Sequence, residues 1–407
     1  MAAESLGCIR LPARILPLAV TAYTATSAAG RGADALASAI ERRQSGLCEN
    51  DFDALPCWIG RVAGIEQAPL PAQLGDWESR NHRLAWLGLH QDGFHQRASS
   101  AIERYGAARV ALVLGTSTSS IGETERAYRE LEADGHFSSE QRRRRVHHPH
   151  SLAAFVQTVL GLRGPCLSIA TACSSSAKVF ASAERLVRSG LADAAIVGGV
   201  DSLCGSVLYG FNSLQLVSPE PCRPFDVARR GLSLGEAAGF ALLEHVDADI
   251  GAPRLVGYGE SADAHHMSAP HPEGLGAQGA LQAALARAGL TPADVDYINL
   301  HGTASRHNDE VEAALIERTF PASTLASSTK GWTGHALGAA GIVEAVVALL
   351  AIKRGLVPGT LNTSELDPVC GPQITLDNRE CRVRVALSNS FGFGGNNCCL
   401  AFAAAGT

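Results

Sequence analysis

The sequence predicts an α/β protein made of two similar-sized halves whose sheets are buried. Three observations carry that reading. Apolar runs of strand length recur along the whole chain, and segments of helical periodicity lie between them. The length, 407 residues, suits two or three core-forming units. The composition is 46% hydrophobic, 18% charged and only 5% aromatic, with 42 glycines. That excludes a disordered chain and implies elements packed closely through small side chains.

A first core strand is expected from residues 15–20, continuing through residues 21–26. Arg10 and Arg14 ahead of this run imitate a secretion signal, but the run is short and Pro17 breaks it, so a strand is the better reading. Residues 34–43 read as a helix. Residues 109–114, 194–197, 239–243, 297–300 and 383–387 read as buried strands, and residues 176–189, 276–288 and 341–354 as helices. The first of these three helices places Val179, Phe180, Ala183 and Val187 on one face. The polar stretch 247–253 is the expected connection, giving halves 1–250 and 251–407. Residues 136–150, with Arg142, Arg143, Arg144 and Arg145, read as a polar insertion that is solvated. No stretch reaches the ~18 uninterrupted apolar residues of a membrane helix.

The eleven cysteines are odd in number, scattered, and form no CxxC pair, which points to a reduced cytoplasmic protein without a zinc cluster. A formal charge of −6 argues against nucleic-acid binding through an overall basic surface, while leaving room for a local basic patch facing an acidic partner. Lysine is rare: only Lys178, Lys330 and Lys353 occur, so a lysine inside a motif stands out.

Four motifs carry chemistry. In Thr171-Ala172-Cys173-Ser174-Ser175-Ser176-Ala177, a strand-like run leads in and a helix follows. Cys173 is thereby placed at a helix N-terminus, where free N–H groups and the dipole favour a thiolate nucleophile. Taken alone, a small buried cysteine accounts for it equally well. His301 follows a predicted strand in Leu300-His301-Gly302-Thr303, and His335 lies in Lys330-Gly331-Trp332-Thr333-Gly334-His335. Glycines beside both histidines permit close backbone approach to a ligand. The run Asn389-Ser390-Phe391-Gly392-Phe393-Gly394-Gly395-Asn396-Asn397 fits neither a Walker nor a dinucleotide fingerprint and better supplies a backbone N–H to an oxyanion. His147, His148 and His150 are interrupted by Pro149 and, like His265-His266, are not read as metal ligands.

These ordered motifs resemble a β-ketoacyl-[acyl-carrier-protein] synthase of the thiolase-like superfamily, in its elongating Cys-His-His branch. Residues 115–123, Pro224-Phe225-Asp226 with Arg230-Gly231 and residues 235–239, and His266-Met267-Ser268-Ala269-Pro270-His271-Pro272 add to the resemblance. It implies a thiolase-like fold, layered α-β-α-β-α, acting as a dimer, either with itself or with a chain-length-factor-like homologue. It implies Cys173 as the acyl-accepting nucleophile, with the N–H groups of Cys173 and Phe393 as oxyanion hole. His301 and His335 stabilise the enolate formed as a malonyl thioester loses carbon dioxide, and Lys330, partnered by Glu344, sets their charge and orientation. Asp309 and Glu312 are structural supports, Phe391 and Phe393 gate the acyl pocket, and Thr303 and Ser305 contact pantetheine. No cofactor is implied beyond the phosphopantetheine arm of an acyl carrier protein. Docking of that acidic partner is assigned to Arg142, Arg143, Arg144 and Arg145, with Arg80 and Arg83.

Ser305, Asn396, Ser268 and Ala237 depart from the family's usual residues, removing no catalytic group but pointing to a specialised synthase, of fatty acid, aryl-polyene or polyketide type. Two other readings compete. A coenzyme A thiolase expects a second catalytic cysteine near the last glycine loop and no lysine before the second histidine. A silent chain-length factor lacks the nucleophilic cysteine.

Overall fold

A computed structural model describes residues 14–407; Arg10 lies outside them. Ten strands run in line through the main sheet. The first five are β1 (Leu18–Ser27), β2 (Val110–Gly115), β3 (Cys166–Ile169), β4 (Ala194–Asp201) and β5 (Ala237–His245). The second five are β6 (Arg254–Ala262), β7 (Tyr297–Asn299), β8 (Leu325–Ser327), β9 (Val385–Gly392) and β10 (Asn396–Ala403). Their spatial order is β8-β7-β9-β10-β6-β1-β5-β4-β2-β3. Counted outward from the middle, each half therefore places its first, fifth, fourth, second and third strand in the same succession. The directions match too. The first–fifth and fifth–fourth pairs are antiparallel, and the fourth–second and second–third pairs are parallel, in both halves. β1 and β6 join the halves through only two paired positions, Leu18 with Leu255 and Ala19 with Arg254.

Alternation along the strands makes the layers. Val110, Leu112 and Leu114 of β2 pack with α1 (Arg80–Leu89), α2 (Phe94–Tyr105) and α3 (Ser151–Leu160) on one outer face. Ala111 and Val113, between them, face α4 (Ser175–Arg188) and the second half. Across the molecule, Val385 and Leu387 of β9 pack with α5 (Leu275–Ala288) and α6 (Arg306–Thr319), while Ala386 turns inward. The inner layer is α4 with α7 (Ala340–Arg354). Residues Ala340 to Ala351 of α7 are all buried, so it is apolar all round, as a helix between two sheets must be. Its one buried charge is Glu344. The result is α-β-α-β-α layering with α4 and α7 at the centre.

The expected helices and strands are present with small shifts at their ends, the first helix running Ala33–Glu41. Residues 131–150 contain no helix or strand, as a polar insertion should. No helix of the described residues is long and apolar enough to cross a membrane.

Candidate active site

The turn after β3 is fixed by its own hydroxyls. Ser175 Oγ donates to the Ala172 carbonyl (2.6 Å) and accepts from the Thr171 N–H (2.9 Å). Ala172 takes a left-handed φ of 52°. Cys173 therefore sits two residues ahead of α4, with Ser174 as N-cap, and is buried. Glycines allow this crowding: a Cβ on Gly115 would lie 2.4 Å from the Ser176 nitrogen, and one on Gly341 2.7 Å from that of Ala177. The Sγ of Cys173 lies 2.9 Å from His335 Nε2, and the backbone N–H of Phe393 is near enough to favour its anion.

The resting thiolate expected from a helix N-terminus is not what the site holds. Burial pushes the Cys173 thiol up to about 12, and the Lys330 charge and the Phe393 N–H only partly oppose it. A closed apolar surround disfavours the anion more than one helix start favours it. The sulfur is a thiol with an imidazole at hydrogen-bond distance, so it is activated by a base rather than by standing ionisation.

His301 follows β7 as His335 follows β8, and their rings meet edge-on with centroids 5.4 Å apart. The reactive atoms of Cys173, His301 and His335 all lie within 4.8 Å of one another. Burial first, then the Lys330 charge, hold both imidazoles well below their ordinary pKa, and His335 adds to the effect on His301. Both rings are thus neutral. Lys330 is buried and donates to the His301 carbonyl and to Glu344, whose second oxygen accepts from Ser390 Oγ (3.5 Å). Glu312 accepts from the N–H groups of His301 (2.9 Å) and Gly302 (2.8 Å) and from Asn389 (3.2 Å). It fastens the histidine turn from beneath. Burial raises its carboxyl to about 7 and that of Asp309 to about 6. Asp309 accepts from the Phe225 N–H (2.8 Å). Gly302 has a φ of +32°, and a Cβ there would lie 2.5 Å from that of Ser328 and 2.7 Å from the Phe225 ring.

A cavity of about 350 Å³ leads to this cluster. Cys173, His301 and His335 lie on its wall, with Phe391 and Phe393, and with Thr303 and Ser305, whose hydroxyls are 2.9 Å apart. The Phe391 ring is 5.9 Å from His301, and Phe393 stacks on Phe211 at 5.3 Å. Ser268, Ala269 and Pro270 form part of the rim, their loop tied to the glycine turn by the Gly394 N–H on the Met267 carbonyl (2.7 Å).

None of the six arginines assigned to docking lines this cavity. Arg80 is a structural cation: it donates through two nitrogens to Glu236, which is fully buried and also accepts from the N–H groups of Val62 and Leu203. Arg83 pairs with Glu78, Arg143 with Glu123, and Arg145 with Asp76, and Arg142 donates to the Phe137 carbonyl. Arg144 alone of the six has no such partner among the described residues, and it is exposed.

A thiol and two imidazoles are also metal-ligand types. Two ligands on one tetrahedral zinc stand roughly 3.5 Å apart, from ~2.3 Å Zn–S and ~2.0 Å Zn–N bonds. The 2.9 Å between Sγ and Nε2 is a hydrogen bond instead. His147 binds Thr124 and the Gln141 carbonyl through its two nitrogens, and His150 binds Ser168 through one. Cys398 and Cys399 are buried within β10 and neither lines the cavity, so neither stands where a second nucleophile would.

Two residues near the site were not singled out from sequence. Asp201, at the end of β4, is buried and accepts from Ser117, Thr118 and the Gly338 N–H (2.7 Å), tying the loop after β2 to the segment after His335. Arg229 is buried on the cavity wall, 2.7 Å from Asp367. A lone Asp at a strand end and one Arg of an Arg-Arg pair carry no spacing that marks them.

Comparison with known proteins agrees with this geometry. Residues 83–248 match the family model described as beta-ketoacyl synthase, N-terminal domain, and residues 253–364 match its C-terminal domain. Nodulation protein E of Rhizobium meliloti (strain 1021) is 40% identical over 330 residues, 78% of this chain and 81% of that protein. The 3-oxoacyl-[acyl-carrier-protein] synthase 2 of the same strain is 44% identical over 259 residues, 59% of this chain and 61% of that one. Among solved structures, the ketosynthase ApeO in complex with its chain length factor ApeC, from Xenorhabdus doucetiae, superposes with a TM-score of 0.87 at 34% identity, covering 96% of this chain and 98% of that one. With a thiol, two neutral imidazoles and a buried lysine gathered between two copies of one strand order, the chain belongs to the β-ketoacyl synthase family, acyltransferases that form carbon–carbon bonds on the thiolase-like fold.

Proposed function

We propose that this chain is a 3-oxoacyl-[acyl-carrier-protein] synthase that extends an acyl thioester by decarboxylative condensation with malonyl carrier protein. The observation that carries the reading is the 2.9 Å contact of Cys173 with a neutral His335, with His301 beside them at the end of a cavity. In the first half-reaction, Sγ attacks the thioester carbonyl and its proton passes to His335 Nε2. The C–S bond to pantetheine breaks, and that sulfur takes the proton as it leaves. The N–H groups of Cys173 and Phe393 hold the oxyanion.

In the second half-reaction, the acylated sulfur no longer engages His335. His335 then shifts its ring proton from Nδ1 to Nε2, and both imidazoles, neutral, present N–H groups to the malonyl thioester carbonyl. The bond to the carboxylate breaks, carbon dioxide leaves, and its electron pair becomes the enolate. The enolate carbon bonds to the acyl carbonyl, the bond to Sγ breaks, and the thiolate takes from solvent the one proton that the net reaction consumes. Lys330 acts through the histidines, holding the His301 carbonyl and keeping both rings uncharged. No resident cofactor is required, because the reacting groups arrive on a phosphopantetheine arm.

The finer assignment is to a polyketide-like or aryl-polyene-type pathway, in which the chain works in the cytoplasm as a dimer, with itself or with a chain-length-factor-like homologue. The solved relatives described as ketosynthase with chain length factor support pairing with such a homologue. So does β3, an edge strand with Leu167 40% exposed. A silent chain-length factor is disfavoured by the complete Cys173, His301, Lys330 and His335 set. The test is mass spectrometry of the Cys173 peptide after incubation with a panel of acyl carrier proteins. An acyl adduct on Cys173, discharged by malonyl carrier protein with two-carbon extension, supports the proposal. Absence of any adduct across fatty, polyene and aryl starters overturns it.

A further inference from the structure

His335 acts as a base in the reaction above, and its ring is aimed by an uncommon route. An imidazole that works through one nitrogen is ordinarily held by an acceptor on the other. While Nε2 takes the Cys173 proton, Nδ1 carries the ring's own, and Nδ1 has no hydrogen-bond partner among the described residues. The aim of the ring therefore comes from its main chain. On the upstream side that chain is fixed: the His335 N–H donates to the Ser233 carbonyl (2.7 Å), and the His335 carbonyl accepts from the Gly235 N–H (2.9 Å). On the downstream side it turns through Leu337, which is buried and left-handed, with a φ of 53°. A residue other than glycine keeps that conformation only where its surroundings impose it. The carboxylate of Asp201, fully buried at the end of β4, takes the next N–H, that of Gly338, at 2.7 Å. It is itself gripped by the N–H groups of Ser117 (2.8 Å) and Thr118 (3.1 Å) and by the hydroxyls of Thr116 and Thr118. Hydroxyls and main-chain N–H groups are its hydrogen-bond donors among the described residues, and a buried carboxylate so placed needs every one of them. The contact is also close: a Cβ on Gly338 would lie 2.6 Å from the Ser117 nitrogen and 2.7 Å from Asp201 Oδ2.

We infer that Asp201 is a positioning residue for His335: through the Gly338 N–H it holds the corner that follows the imidazole, and so aims Nε2 at the Cys173 sulfur. It does through the main chain what the acid of a catalytic triad does through the imidazole itself. The inference deepens the synthase reading above, on which it rests for the role of His335 as base, but it is indifferent to what delivers the acyl group. Asp201 is not among the residues lining the cavity. Its charge does reach Cys173, adding with that of Glu344 to the upward push on the thiol and opposing Lys330. Losing the charge alone would ease ionisation of the sulfur and speed its acylation. Losing the aim of the base slows acylation, so the two effects have opposite signs.

The experiment follows single-turnover acylation of Cys173 by mass spectrometry, with an acyl carrier protein and with the p-nitrophenyl ester of the same acyl group, which needs no carrier. The variants are Asp201→Asn, His335→Ala and the two together, with urea unfolding to show that each is folded. Asparagine offers one acceptor where two oxygens served, so it must release either the Gly338 N–H or the loop after β2. Asp201→Asn should slow acylation at saturating substrate by roughly 10²-fold, the scale of a ~1 Å misplacement, with half-saturation unchanged. In the His335→Ala background the same change should have no further effect, because the group it aims is gone. Thr118→Val removes one donor to Asp201 at nearly constant volume, should slow acylation by less, and replaces Asp201→Asn if that variant does not fold. A native or raised rate in the folded variant would overturn the inference. So would a loss that recurs in full on top of His335→Ala, which would mark a general support of the fold, and so would weaker half-saturation at a native maximal rate. If carrier protein fails to acylate the native chain and the ester succeeds, the synthase reading falls and the ester alone decides the role of Asp201. If neither acylates Cys173, His335 is not its base and both fall.

Discussion

Replacing Lys330 with Met tests how the site holds its charge. Lys330 is 1% exposed, and its ammonium is shared between Glu344 and the His301 carbonyl. Methionine fills a similar volume without the charge. Glu344, on a helix face otherwise wholly apolar, then keeps only the 3.5 Å contact from Ser390. Breaking a buried ion pair from one side costs about 3–5 kcal/mol, because a carboxylate is left uncompensated. That is a large share of the ~5–15 kcal/mol that holds a domain folded. A second variant separates folding from chemistry: Lys330→Met with Glu344→Leu removes both charges and should recover stability to within about 1–2 kcal/mol, since a packed apolar pair substitutes well for a buried ion pair. Decarboxylation of malonyl carrier protein should stay lost in both variants, because the His301 carbonyl no longer has the ammonium that holds it. The assays are urea unfolding and carbon dioxide release. If Lys330→Met unfolds at the native midpoint, the pair is not the buried support described here. If the double variant regains decarboxylation, Lys330 has no part in placing the histidines.

Four further outcomes follow from the same geometry. With the Cys173 thiol pushed up to about 12, its alkylation by iodoacetamide should climb about tenfold per pH unit through pH 10, and a plateau near pH 7–8 would show a standing thiolate instead. His301→Ala and His335→Ala should each lose decarboxylation by about 10²–10³-fold, the scale of one oxyanion donor. Since both rings are held neutral well below pH 6.5, native decarboxylation should show no histidine-dependent fall between pH 8 and 6.5: as pH drops they gain a proton only below their depressed pKa. Arg80→Met should leave the buried Glu236 uncompensated and cost about 3–5 kcal/mol in unfolding, with KM for carrier protein unchanged; a raised KM in a chain of native stability would return Arg80 to the docking surface.

Legibility followed the range of the interaction. Strands such as β2 and β4 announce themselves because apolar side chains on both faces are demanded by burial on both faces. The two histidine turns and the glycine loop were legible because backbone approach admits only Gly at positions such as Gly302 and Gly341, and that constraint is written into the sequence. Glu344 could be named beside Lys330 because it is the charge in an apolar helix that needs a partner. What could not be read was competition between distant groups. Nothing local says that Arg80 meets Glu236 across 156 positions, so the sequence does not show that this half-buried arginine is anchored to a buried carboxylate. Nothing in the cysteine motif gives the extent of burial around Cys173, and burial decided its ionisation against the helix start.

The repeated strand order explains why a nucleophile and its base face each other at all. Cys173 follows β3, the third strand of its half, and leads into the inner helix α4. His335 follows β8, the third strand of the other half, and leads into the inner helix α7. The two residues occupy corresponding corners of two structurally matching units, and the units meet through those same inner helices. Packing α4 against α7 therefore brings the two corners together without any special loop, and glycines at 115, 338 and 341 let them close. His301 follows β7, a second strand, and its counterpart corner after β2 carries Thr116 and Ser117 instead. Those residues bind Asp201, which in turn holds Gly338 after His335. One copy of that corner supplies chemistry and the other supplies support for it. Asymmetry of residues on a symmetric frame is thus what turns a duplicated fold into a site with one nucleophile and two donors.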